Sequence, residues 1–361
     1  MKRILYISPD FNYSCGVSKI VSLSLKRFSS NPDYQLHFIY NKGDSLDRLS
    51  SIPSLQHKAI PFSKGIKNFI YYKSFFKHVK QYCIHNKIDL IHSFHRFPEY
   101  VSSKISSELG LKTVTTALSF VKNFNNISFK SDIIIAGSNA IKKMIEENFN
   151  VPPERIKKIY LPAETISETS LEKKKELREK FQIGFESKVL LFIGRINKIK
   201  GYDTLLKGFQ IVNAKVQNAL LLLCGEITDK NFYKFKLGNS VRYIPPGNDN
   251  YHLYSIADII VLPSRIDPFP FVMIESGTCK KPFIGGNTGG IAEFIEEGKN
   301  GLLVDPENPF MLADKIIYLL ENENIGKELG ENLYIKVKEQ CDYNNYFTRM
   351  EDIYNSLLKD P

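Results

Sequence analysis

Two short apolar runs constrain what this chain can fold into. Arg3–Ser8 (RILYIS) and Val189–Gly194 (VLLFIG) each lead into a loop and then into a stretch of helical spacing. After the first, Val17, Ile20, Val21, Leu25 and Phe28 fall on one helical face; after the second, Tyr202–Val212 does the same. A strand feeding a loop and a helix, used twice, reads as parallel sheets covered on both faces. Leu36–Tyr40, Ile88–Ser93, Thr113–Thr116 and Ile133–Ala136 read as further strands of the first half, and Ile66–His85, Val101–Leu109 and Ala140–Phe149 as helices. In the second half Ala219–Cys224, Val241–Ile244, Ile259–Leu262 and Pro282–Ile284 read as strands, and Pro309–Leu320 and Glu323–Glu339 as helices. The polar stretch Ala163–Lys188, with Lys173-Lys174-Lys175, reads as a solvated helix or linker at a domain boundary. The expected fold is α/β, with two Rossmann-like doubly wound domains over residues 1–165 and 166–342. Residues 343–361 are expected to form an amphipathic helix packing back toward the first domain. A ligand is expected beyond the carboxyl ends of the strands, in a cleft that the two domains face.

Composition narrows the classes further. Hydrophobic residues make up 43% and charged residues 24%, too apolar for a disordered chain. The longest apolar run, Ala219–Cys224, falls far short of the ~20 residues that a membrane span needs. The N-terminal run Ile4–Ile7 is too short for a secretory h-region, so a cytoplasmic protein is expected. Five cysteines without a C-x-x-C pair give neither a disulfide frame nor a zinc site. Residues 1–160 hold 24 Lys+Arg against 11 Asp+Glu, whereas the rest of the chain is slightly acidic. A basic domain attracts an anionic partner: nucleic acid, an anionic membrane or a phosphorylated acceptor. No nucleic-acid module is recognisable, so a nucleic-acid partner is not expected.

Lys58–Lys80 interleaves Lys64, Lys67, Lys73, Lys77 and Lys80 with aromatic residues. A helix there gathers Phe69, Tyr72, Phe76 and Val79 on one side. The side is read as packing on the sheet, with the lysines left to a membrane-attracted surface.

Three constellations carry chemistry. Gly194-Arg195-x₄-Lys200-Gly201 follows a strand and precedes a helix. Gly194 allows close backbone approach, while a planar Arg fork and a Lys point charge suit a diphosphate; an exposed basic turn is the alternative. Asp267-Pro-Phe-Pro-Phe-Val-Met-Ile-Glu275 follows the strand Ile259–Leu262. Its prolines keep Asp267 in a loop, and a helix starting at Phe271 presents the N–H groups of Phe271 and Val272 to an anion. Glu275 suits the two hydroxyls of a ribose and Asp267 sugar hydroxyls; an acidic surface loop is the alternative. Gly285-Gly286-Asn287-Thr288-Gly289-Gly290 is a glycine-rich strand-to-helix turn that can bring backbone amides to a phosphate or can simply turn the chain.

The order G-R-x₄-K-G, P-S-x₂-D-P-F-x₅-E-S-G, P-x₅-T-G-G-I-A-E and N-G-L-L-V resembles the retaining GT-B glycosyltransferases of family 4, specifically from Leu190 to Glu321 and more loosely over residues 1–160. The resemblance implies a GT-B fold, a nucleotide-sugar donor such as a UDP- or GDP-sugar, and no metal or other cofactor. It implies that Arg195 and Lys200 bind the donor diphosphate, Glu275 the ribose and Asp267 the transferred sugar. Phe271, Val272, Gly289 and Gly290 would contact donor sugar or phosphate through backbone, and Gly16 would let the first domain's loop approach the donor. The sequence departs from the family at Asp267, where Glu is usual, and at Leu118, near where a His is usual. His92 and His95, read as lying just after a strand, are candidates to supply that contact. The implied activity is a metal-independent, retaining, hexosyl-type transfer to a glycan or lipid-linked acceptor in cell-envelope polysaccharide synthesis, at the inner membrane face. A sugar-nucleotide epimerase on the same fold, or a non-catalytic nucleotide-sugar-binding protein, are the alternatives.

Overall fold

The computed structural model describes residues 1–52, 54–62, 68–166 and 168–358, the side chains at 68, 69, 248 and 249 excepted. The chain divides into two units, Met1–Leu161 with Asn344–Pro361, and Pro162–Tyr343.

The first unit begins β1 (Lys2–Asp10), α1 (Gly16–Ser29), β2 (Tyr34–Lys42), α2 (Asp47–Ser50), β3 (Gln56–Ala59) and α3 (Asn68–His85). It continues β4 (Leu90–Ser93), α4 (Arg96–Leu109), β5 (Lys112–Ala117), β6 (Ile133–Ala136), α5 (Asn139–Phe149) and β7 (Ile156–Lys158). The strands form one parallel sheet in the order β3-β2-β1-β4-β5-β6-β7. Ile4, Leu5, Tyr6 and Ile7 of the central β1 are fully buried, which is why that run reads as continuously apolar rather than alternating. The order reverses direction between β1 and β4, so the chain leaves these two neighbours toward opposite sides.

The second unit runs α6 (Leu171–Lys180), β8 (Lys188–Ile193), α7 (Tyr202–Lys215), β9 (Ala219–Cys224), β10 (Val241–Ile244), α8 (Leu253–Ile256), β11 (Ile259–Leu262) and α9 (Phe271–Thr278). It ends with β12 (Phe283–Gly286), α10 (Gly289–Phe294), β13 (Leu302–Val304), α11 (Pro309–Glu321) and α12 (Glu323–Gln340). Its parallel sheet has the order β10-β9-β8-β11-β12-β13, and here the reversal lies between β8 and β11.

α13 (Tyr343–Leu357) returns to the first unit. Tyr346, Phe347, Met350, Ile353 and Tyr354 are buried at helical spacing. Phe347 and Tyr354 pack on Phe28 at centroid distances of 5.8 and 5.3 Å, and Lys2 reaches Asn355.

Some elements differ from expectation. The polar edge strand β3 and the three-residue β7 and β13 carry too little pattern to be read. The helix expected from Val101 starts at Arg96; Pro98 sits in its first turn, where a missing N–H costs nothing. Among the described side chains of α3, Phe75, Val79 and Cys83 are buried, with Tyr72, Phe76 and Tyr82 partly buried against the same core. Lys64 and Lys67 lie outside the described residues, as does the Phe69 side chain. Among the described residues, no helix is long and apolar enough to cross a membrane.

Candidate functional site

β8 and β11 are the neighbours at which the second sheet's order reverses, and both of their following loops carry predicted site residues. Ligands of such sheets bind outside the carboxyl ends at this switch point. The loop after β8 leaves through Gly194, whose φ of +154° disfavours a side chain. Arg195 is exposed there, and its guanidinium makes no ion pair among the described residues. Asn197 then caps a 3-10 turn, Lys198–Lys200, with its side chain accepting the Lys200 N–H at 3.1 Å. Gly201 ends the turn at φ +75°, and a Cβ on it would stand 2.0 Å from the Pro263 carbonyl oxygen. Only glycine lets the two loops approach so closely.

This approach brings two predicted residues together. Lys200 Nζ donates to Asp267 Oδ2 at 2.5 Å, and Ser264 Oγ donates to the same oxygen at 3.2 Å. The Asp267 side chain is 2% exposed, so its charge is almost wholly removed from water and held by the Lys200 ammonium. Asp267 Oδ1 accepts no hydrogen bond among the described residues.

α9 starts after Pro270, whose side chain supplies no cap. Phe271 and Val272 open this helix directly after the Asp267 loop, at the end where the first N–H groups have no intrahelical acceptor. Glu275 follows one turn later and accepts a hydrogen bond from the Tyr254 hydroxyl at 2.5 Å. Tyr254 is buried, and burial together with the Glu275 charge pushes its ionisation well up, so it stays the donor. Nothing in the sequence marked Tyr254, because it lies in the four-residue α8, distant in sequence from every motif.

In the glycine-rich loop two glycines stand against the backbone of the loop after β11. A Cβ on Gly286 would meet the Ser264 carbonyl oxygen at 2.1 Å, and one on Gly290 the Pro268 carbonyl oxygen at 2.0 Å. The Gly290 N–H donates to the Asp267 carbonyl at 3.0 Å. Gly290 therefore buttresses the Asp267 loop, and its amide is already occupied. Gly289, at φ +50°, opens α10 beside it.

In the first unit, Gly16 is exposed and opens α1 beyond the end of β1. His95 precedes α4 as its N-cap residue, with no side-chain cap bond. His92 is a correction: it lies within β4, not beyond it, and is fully buried. Its Nδ1 lies 2.6 Å from the Tyr354 hydroxyl and its Nε2 2.7 Å from Thr116 Oγ1. Burial pushes its pKa down to about 3, so it is a neutral packing residue out of reach of a ligand. Leu118 lies just beyond β5 beside Gly137, where a Cβ would stand 2.9 Å from it. Among the described residues, no group of three or more His, Cys, Asp or Glu side chains is placed to hold a metal ion.

The family model of the glycosyl transferases group 1 matches residues 173–336. An uncharacterized glycosyltransferase of Methanocaldococcus jannaschii is 27% identical over 91% of this chain and 92% of its own length. A capsular polysaccharide biosynthesis glycosyltransferase of Staphylococcus aureus is 23% identical over 76% of this chain and 69% of its own length. The crystal structure of HepE from Anabaena, in complex with UDP-glucose, superposes with a TM-score of 0.84 at 17% identity, covering 99% of this chain and all of that one. That likeness identifies the fold as GT-B.

Proposed function

Because residues 173–336 belong to the glycosyl transferases group 1 family, we propose that this chain is a retaining glycosyltransferase using a nucleotide-sugar donor. The observation that carries the reading is the Lys200–Asp267 pair, set where the loops after β8 and β11 meet and beside the first turn of α9. A departing nucleoside diphosphate gains negative charge, and a preorganised ammonium, guanidinium and helix start stabilise it. Lys200 has three N–H donors, so it can serve a phosphate oxygen while it stays on Asp267. With Arg195 it supplies the cationic clamp, and transfer proceeds without a metal, by front-side attack assisted by the leaving phosphate. Asp267 Oδ1 takes a hydroxyl of the transferred sugar, and Glu275 takes the ribose. The HepE complex with UDP-glucose supports a UDP-sugar as the first donor to try.

The acceptor is proposed to be lipid-linked or otherwise anionic, in polysaccharide synthesis. The basic excess of the first 160 residues supports this, as do Ile70, Tyr71 and Ile84, exposed on α3 near Lys73 and Lys77. Low-salt binding to anionic vesicles checks it, and indifference to them removes the membrane from the proposal.

The primary test is thermal shift against UDP-, GDP-, ADP- and dTDP-sugars, with Arg195→Ala and Glu275→Ala alongside. A shift for one nucleotide class, lost in both variants, supports the donor site. No shift with any nucleotide refutes it. Donor epimerisation without an acceptor would favour the epimerase alternative, and donor binding without turnover the non-catalytic one.

A further inference from the structure

Arg265 fills an unassigned position of the motif that holds Asp267, and its Nη1, Nη2 and backbone donors are directed at the segment that carries Lys200. Its Nη1 and Nη2 pair with the two carboxylate oxygens of Asp203 at 2.7 and 2.9 Å. Nη1 also donates to the Lys198 carbonyl at 2.5 Å. Nε donates to Glu307 Oε1 at 2.7 Å, and the Arg265 backbone N–H donates to the Ile199 carbonyl at 2.8 Å. One residue thus grips both carbonyls that precede Lys200. Asp203, in the first turn of α7, anchors it from the far side of Gly201, at a helix N-terminus that itself favours a carboxylate. The Lys200 backbone is pinned on both sides of its long, flexible side chain.

We infer that Arg265 is the positioning residue for the Lys200 ammonium, holding the 198–200 turn so that Nζ stays on Asp267 where a diphosphate would meet it. This rests on the reading of Lys200 as a diphosphate ligand. The role needs the planar fork as well as the charge, because two parallel bonds to Asp203 fix the direction of the other donors. A lysine cannot reproduce it.

Two measurements on the full chain test this. The first is calorimetric affinity for UDP, GDP and ADP. Arg265→Lys and Asp203→Asn are each expected to weaken the best-bound diphosphate roughly tenfold, the cost of a misplaced binding group. Glu307→Gln, at a carboxylate whose side chain is 77% exposed, is expected to leave affinity unchanged. The second measurement needs no nucleotide: the rate at which an amine-reactive succinimidyl ester acylates Lys200, read by peptide mass spectrometry against exposed Lys215. Release from Asp267 raises Lys200 labelling several-fold in both variants and leaves Lys215 unchanged, which general loosening of the fold would not do. Folded variants with wild-type affinity and wild-type Lys200 labelling overturn the inference. If the parent chain binds no nucleoside diphosphate, the donor reading falls, and Lys200 labelling alone decides the role of Arg265. If Arg265→Lys does not fold, Asp203→Asn decides it.

Discussion

The Tyr354 hydroxyl lies 2.6 Å from His92 Nδ1, although 262 residues separate the two in the chain. The same hydroxyl is 2.8 Å from that of Tyr6, and His92 passes on to Thr116. A buried chain of four polar groups therefore joins α13 to β1, β4 and β5. Each member is satisfied by the next, and a buried polar network specifies one arrangement only when complete.

Tyr354→Phe removes the middle of that chain with little change of shape. It leaves the Tyr6 hydroxyl and His92 Nδ1 without their partner in a dry interior, at a cost of about 1–3 kcal/mol per stranded group. Chemical denaturation is expected to show a lower midpoint with an unchanged slope. A midpoint equal to the parent's would mean that the network contributes nothing to docking the helix.

The same burial makes stability depend on pH. His92 has its pKa pushed down to about 3 and His37 to about 4, chiefly by burial. Unfolded, both titrate near 6.5. Between these values the unfolded chain binds protons that the folded chain refuses. Their contribution is present in full above pH 6.5 and is lost as pH falls toward about 4 for His37 and about 3 for His92, at up to about 1.4 kcal/mol per pH unit for each histidine. Denaturation midpoints at pH 7.5, 6, 5 and 4.5 check this, and His92→Phe is expected to flatten the slope.

Both doubly wound sheets were legible because RILYIS and VLLFIG are buried on two faces and so read as unbroken apolar strands. β3 was not, since all four of its residues are exposed at the sheet edge. Lys200, Asp267 and Glu275 were legible as types at a spacing. What holds them was not: Asp203 and Arg265 act across loops that meet where Gly201 stands against Pro263, and Tyr254 reaches Glu275 from the short α8. His92 misled because a polar residue near a strand end looks like a site until α13, from the far end of the chain, is seen to cover it.

Gly290→Ala tests the loop contact directly. The new Cβ would stand 2.0 Å from the Pro268 carbonyl oxygen and 2.9 Å from Phe269 Cα, and backbone yields less readily than a side chain. Overpacking of this kind costs about 1–3 kcal/mol, and relief requires the Asp267 loop to move. Both stability and nucleotide affinity are expected to fall. Gly298→Ala is the control: φ there is +73°, but nothing lies within 4 Å, so only backbone strain is added and affinity is expected to stay. Equal affinity in the two variants would separate Gly290 from the site.

Tyr254 and Glu275 offer a sharper test of the ribose assignment than loss of binding does. Glu275 accepts from Tyr254 at 2.5 Å, which fixes one carboxylate oxygen and leaves the group oriented before any ligand arrives. A site built to hydrogen-bond a hydroxyl discriminates against a ligand that lacks it, because its own polar group is then left unpaired. The parent chain is therefore expected to bind its preferred nucleoside diphosphate more tightly than the 2′-deoxy form, by roughly tenfold or more. Glu275→Ala is expected to abolish that ratio by weakening the ribonucleotide alone. Tyr254→Phe keeps the carboxylate but removes the bond from Tyr254, so the ratio should narrow without vanishing. Calorimetry with the matched pair of ligands reads all three proteins, and a parent chain that binds the two equally would remove Glu275 from the ribose.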